Sequence, residues 1–246
     1  MAPDSRYFMH CCWAIPAMGA LCGSLTMASV YYLTATSGHL PQGSSTPPLS
    51  FMGLRDPERR VYQVGFALTG LLLAQSVRIW RATIWPLLRS AGFEQCAYYG
   101  FLGGCLAAAG AALQGIVTLE ADILEKISSQ TAELSIQSKL HQAFALFFFI
   151  GCTMHCFAMT VAAISCTEPQ LVHALCWSKW LKVGISALTV VAAPIAEKLH
   201  PTRQTNEQSF DVAGLTQYLT VGLYVFFFAL YSVDFYRLGR AKDAHD

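Results

Sequence analysis

Two histidines and a pair of arginines are the residues of this chain whose types and spacing allow chemistry. In the apolar run LHQAFALFFFIGCTMH, His141 stands at the start and His155 at the end, fourteen residues on. They lie nearly four helical turns apart on almost one face, so one wall of that helix is polar at two depths. A histidine in such a run faces protein or a wet cavity. A neutral imidazole there can take a hydroxyl proton as a general base, and His141, at the helix end where substrate has access, is the candidate catalytic residue. Hydrogen bonding between helices accounts for both histidines as well. Arg59 and Arg60 follow Glu58 in PERRVYQVGF, at the depth where guanidinium groups meet a phosphate or carboxylate. A charged collar that sets helix depth is the other reading of the same residues.

Other chemistries find little support. Cys152, His155 and Cys156 are neighbours on one helix, but no second cluster at ligand spacing closes a metal site, so neither metal nor cofactor is expected. HxxxxD, GxSxG, HExxH and glycine-rich phosphate loops are all missing. Near the C-terminal end, Gln217 and Tyr218 open an apolar stretch that closes on Asp234, Phe235 and Tyr236. Asp234 is expected to pair with Arg237 or another base on its side of the membrane.

The elements that position these residues follow from composition. The chain has 246 residues, 54 % of them hydrophobic and 13 % charged, with a mean hydropathy of +0.42. Apolar runs long enough for a hydrocarbon core of ~30 Å recur along its length, which makes it a polytopic membrane protein of the all-α class. One domain over 1–246 is expected, a bundle of six spans at about 11–35, 60–80, 96–118, 140–165, 175–195 and 212–236. The first is too long and too polar at its far end for a cleaved signal peptide and should stay attached. Net charge is +1, and no stretch has the basic density that a nucleic-acid partner requires.

Between the first two spans runs PPLSFMGLRDPERRVYQVGFALTG, the most unusual segment of the chain. Pro47 and Pro48 keep the backbone extended, while Asp56 and Pro57 read as an N-cap residue and a first helical residue. The third span carries Gly100, Gly104, Ala108 and Ala112 on one row and Gly103, Ala107, Ala111 and Gly115 on the next, so it should sit centrally. Gly19 and Gly23 form a weaker small-residue pair in the first span. The second span is expected to end in an interfacial belt of Arg78, Trp80, Arg81 and Trp85. Within 119–138, Ile123, Leu124, Ile127 and Leu134 suggest a short interfacial helix.

Six spans put both termini on one side. Nine Lys and Arg (Arg6, Arg78, Arg81, Arg89, Lys179, Lys182, Arg237, Arg240 and Lys242) share that side, against seven opposite, and all nine cysteines lie in spans or on the termini's side. Both biases make the termini cytosolic and the loops 37–56, 119–138 and 197–211 lumenal.

With these motifs the chain resembles the Frag/DRAM/Sfk membrane family. The likeness rests on PPLS…G…PERRVYQVGF (Pro48, Ser50, Gly53, Pro57), on His141 and His155, and on QY…VDF (Gln217, Asp234, Phe235). Within that family it is most similar to the branch of post-GPI attachment to proteins factor 2. That branch usually carries Glu where this chain has Gln217 and histidine where it has Phe228. The resemblance implies lumenal remodelling of the GPI-anchor lipid in the Golgi or endoplasmic reticulum, with a lyso-GPI-anchored protein receiving a fatty acid. His141 would then be the base, with Arg59, Arg60, Glu58, His155 and Gln217 on the substrate. The expected partners are membrane lipids, GPI lipid or GPI-anchored proteins, and other membrane proteins. The alternative is a non-catalytic lipid-binding or regulatory factor, as in the branches acting in autophagy or plasma-membrane lipid organisation.

Overall fold

A computed structural model describes residues 12–41, 44–120, 123, 133–198 and 207–243. Eight helices are present among these: α1 Ala14–Thr36, α2 Leu49–Met52, α3 Glu58–Ser90, α4 Glu94–Ile116, α5 Ile136–Ser165, α6 Pro169–Leu175, α7 Lys179–Lys198 and α8 Glu207–Asp243. The six longer ones form a closed ring in which α1 packs on α3, α3 on α4, α4 on α5, α5 on α7, α7 on α8, and α8 back on α1.

Small residues make α4 the centre of its side of the ring. A Cβ on Gly103 would come within 2.6 Å of the His155 amide nitrogen on α5, and one on Gly110 within 2.5 Å of that of Phe148. Toward α3, a Cβ at Gly104 would meet Val77 at 2.7 Å and one at Gly115 the Ala67 amide at 2.6 Å, so Gly103 and Gly115, expected on one row, face different helices. Helices approach that closely only where side chains are absent, which is how the glycines of α4 hold two helices at once. Gly19 and Gly23 seat α1 on Leu72 and Thr69 of α3 in the same way, at 3.3 Å each.

Helix ends aim the chain toward the site. Gly38 takes a left-handed φ of 69° after α1, with the His39 N–H donating to Thr34 O at 3.0 Å and the Gly38 N–H to Ala35 O at 3.4 Å. Gly92, at φ 81°, ends α3 by the same device, with the Phe93 N–H bound to Leu88 O at 2.8 Å. Ser135 caps α5 by accepting the Ser138 N–H at 3.1 Å, which sets His141 in the second turn.

Among the described residues, four helices are long and apolar enough to cross a membrane: Ala14–Thr36, Glu94–Ile116, Ile136–Ser165 and Asp211–Arg240. A fifth crossing arises if Pro169–Leu175 and Lys179–Ala192, which meet at 71°, act as one broken span. The fold is that of an all-α, multi-pass membrane protein.

Several expectations need correction. The helix expected over 60–80 continues unbroken to Ser90, and Trp80 is turned into the protein rather than outward: it is 1 % exposed, its ring 5.7 Å from that of His155. Arg81 instead stacks on Trp85 and Phe101, with centroids at 4.3 and 4.7 Å. Asp56 makes no capping bond; its carboxylate lies 3.3 Å from Arg60, and the helix begins at Glu58 rather than Pro57. Leu124 and Ile127, residues 199–206, Arg6 and Cys11 lie outside the described residues. Ile123 is buried beside Phe51, Leu54 and Leu119.

Candidate functional site

The segment 44–57 lies over one end of the ring and is tied down from several helices. Asp211, at the start of α8, accepts the Ser44 hydroxyl at 2.5 Å and the Ser45 and Thr46 N–H groups at 3.0 and 2.8 Å. Gln217, two turns further along, accepts the Leu49 N–H at 2.7 Å. Thr34 of α1 donates to Met52 O at 3.2 Å, and the Tyr218 hydroxyl to Met52 Sδ at 3.2 Å. Gly53 lies against Tyr62, where a Cβ would come within 2.8 Å of the ring. Beneath, Leu49, Met52, Tyr62 and Phe66 form an apolar floor with Val30. The motif residues Pro48, Ser50, Gly53 and Pro57 thus all belong to one lid.

His141 meets that lid. It is 2 % exposed, its Nδ1–H donates to Val117 O at 2.6 Å, and its Nε2 lies 3.0 Å from Ser50 Oγ. A carbonyl only accepts, so Nδ1 carries the proton and in the neutral ring Nε2 accepts from the Ser50 hydroxyl. Val117 is the C-cap of α4, where the helix leaves unpaired carbonyls and the negative end of its dipole. Hydroxyl, imidazole and oriented acceptor stand in the order that a proton relay to a serine or a bound alcohol requires.

Arg59 joins this group and Arg60 does not. Arg59 Nε donates to Thr118 Oγ1 at 3.2 Å, one residue beyond the carbonyl that holds His141. Among the described residues its two terminal nitrogens have no partner. Arg60 points outward, 78 % exposed on its Asp56 partner, which corrects its expected place beside Arg59. Glu58 is fully buried, with Oε1 2.8 Å from His39 Nδ1 and Oε2 unpartnered among the described residues.

His155 does not belong to the same site. Fourteen residues along α5 amount to about 21 Å, and His155 is fully buried there. Its Nδ1–H donates to Gly100 O at 2.5 Å, its Nε2 accepts the Tyr231 hydroxyl at 2.8 Å, and its ring stacks on Phe228 at 4.8 Å. Tyr231 also stacks on Phe235 at 5.6 Å and lies under Lys182 Nζ at 4.2 Å. Lys182 forms a short ion pair with Asp234, whose other oxygen accepts the Ser178 hydroxyl at 2.6 Å. Asp234 thus pairs with Lys182, not Arg237. Ser178 lies between α6 and α7, so the break in that pair is built around Asp234.

Residues 5–238 match the family described as the Frag1/DRAM/Sfk1/Cwh43P N-terminal domain. The chain belongs to this family. No curated protein and no solved structure matches it. The Frag1/DRAM/Sfk1 match takes in every helix from α1 nearly to the end of α8, so the lid, the His141 group and the Asp234 group all lie within the family domain.

Sequence reasoning missed Val117, Thr118, Tyr62 and His39, and it left the base for Asp234 open between Arg237 and others on its side. The acceptor of His141 is a backbone carbonyl, which no residue type announces.

Proposed function

We propose that this protein remodels the lipid of GPI anchors on the lumenal side of the Golgi or endoplasmic reticulum, transferring an acyl chain to a lyso-GPI-anchored protein. The observation that carries this reading is the relay from Ser50 through His141 to Val117 O. Its chemistry is that of acyl transfer, and it sits within a Frag1/DRAM/Sfk1 domain. Six crossings are proposed, with α3 and the broken α6–α7 pair completing the four apolar helices and both termini cytosolic. The site then faces the lumen, where GPI-anchored proteins are. Arg59, with two unpartnered nitrogens, suits the anchor phosphate. Membrane lipids and GPI-anchored proteins are the proposed partners.

A second reading makes the protein a non-catalytic lipid-binding factor. It is favoured by the occupancy of both His141 nitrogens by protein groups, as in a clamp that only holds the lid. An apolar cavity of 40 Å³ among Met27, Phe66, Leu73, Phe148, Tyr224 and Phe228 has room for the end of a hydrocarbon chain under either reading. Expression of His141→Ala in a null background separates them. Under the catalytic reading the variant localises normally and fails to restore GPI-lipid remodelling, because a general base typically contributes ~10²-fold or more to rate. Full rescue leaves the binding reading in place.

A further inference from the structure

We propose that Ser50 is itself the acyl carrier, a nucleophile that holds the fatty acid as a serine ester between donor and acceptor. The inference rests on the acyl-transfer reading above and adds a residue and a covalent intermediate to it. The Ser50 hydroxyl is placed to donate to His141 Nε2 at 3.0 Å, and the proton on the opposite nitrogen is held by Val117 O at 2.6 Å. Ser50 is half-buried, while the base beside it is sealed from solvent. The lid does not need this bond to stay in place, because Asp211, Gln217, Thr34 and Tyr218 already tie it on both sides of Ser50. Tyr62, its ring centroid 6.2 Å from that of His141, and Arg59, bound to Thr118 beside the carbonyl that holds His141, are polar groups on this side of the pair that can steady a developing negative charge.

The donor is a diacyl glycerophospholipid of the bilayer. Ser50 Oγ attacks an ester carbonyl of that lipid as its proton passes to His141 Nε2. The tetrahedral adduct collapses with cleavage of the ester C–O bond, and the imidazolium returns the proton to the departing glycerol oxygen, releasing a lysophospholipid. In the second half the free hydroxyl of the lyso-GPI lipid attacks the Ser50 ester, giving its proton to Nε2. Ser50 leaves as the alkoxide and recovers that proton. No oxidant or reductant enters, and both half-reactions use one base.

The test uses the purified full-length protein in lipid nanodiscs with a glycerophospholipid labelled in its acyl chains and no acceptor. Wild-type protein is expected to retain label on the peptide containing Ser50. Ser50→Ala and His141→Ala should lose it ~10²-fold or more. Ser50→Cys, which keeps the shape of the lid, should hold the label as a thioester released by neutral hydroxylamine, a signature that a purely structural serine cannot produce. Label at Ser50 without transfer to added lyso-GPI would support the carrier and overturn the GPI reading. Transfer to lyso-GPI by Ser50→Ala at the wild-type rate would overturn the carrier and leave the GPI reading intact. A wild-type protein that takes no label at Ser50 overturns the carrier as well.

Discussion

Gln217 on the last helix accepts the Leu49 N–H at 2.7 Å, joining two points 168 residues apart in the chain. Leu49 is 4 % exposed, so its amide has no recourse to solvent if the acceptor is removed. Gln217→Leu should therefore cost about 1–3 kcal/mol, the penalty for a buried unsatisfied donor. Gln217→Glu keeps an oxygen in place and should retain both stability and the lid. Thermal unfolding in detergent checks the pair, and equal melting temperatures for the two variants would show that the bond does not hold the lid.

Lys182 and Asp234 are both fully buried. Removing one partner leaves an unpaired charge in a low-dielectric core, so Asp234→Ala should destabilise by about 3–5 kcal/mol. The double variant Lys182→Met with Asp234→Leu removes both charges and should recover most of that loss. Stability of the double variant no better than that of Asp234→Ala would mean that the pair organises the α6–α7 break beyond its charge balance.

Gly103→Leu should abolish the close contact of α4 and α5, since even a Cβ there meets backbone at 2.6 Å. A Cβ on Gly222 of α8 meets nothing within 4 Å, so Gly222→Leu serves as the control. The expected outcome is loss of folded protein on size-exclusion chromatography for the first variant and wild-type behaviour for the second.

Arg59 and Arg60 should now behave differently. Arg59→Ala removes a half-buried cation next to the His141 group and should raise KM for a phosphate-bearing lyso-lipid without changing thermal stability much. Arg60→Ala removes an exposed pair of the kind that contributes about 0.3–0.5 kcal/mol and should leave kinetics unchanged. Equal effects on KM would return Arg60 to the site.

Orientation is checked with a tag after Asp246, expected to be digested by protease added to sealed microsomes. Asp56→Cys, in the lid, should react with an impermeant thiol reagent only after the membrane is opened. The reverse pattern would put the His141 group on the cytosolic side and remove GPI-anchored proteins from its reach.

Much of the architecture was already legible in the sequence, because it depends on periodicity along single helices. Apolar runs long enough to cross a bilayer marked out the all-α membrane class, and the small residues of α4 identified a helix packed centrally. The polar wall formed by His141 and His155 was visible for the same reason, as was the need of Asp234 for a base. Periodicity reports which face of a helix is unusual, but not which helix lies opposite, since that depends on how the helices rotate about one another when the ring closes. Only the tertiary structure could therefore bring Ser50 to His141 across 91 residues, choose Lys182 over Arg237 for Asp234, and turn Arg60 away from its neighbour. It also supplied the acceptor of His141 from the backbone at the end of α4, because a carbonyl is free there only where a helix stops, and where a helix stops beside another is decided by the fold.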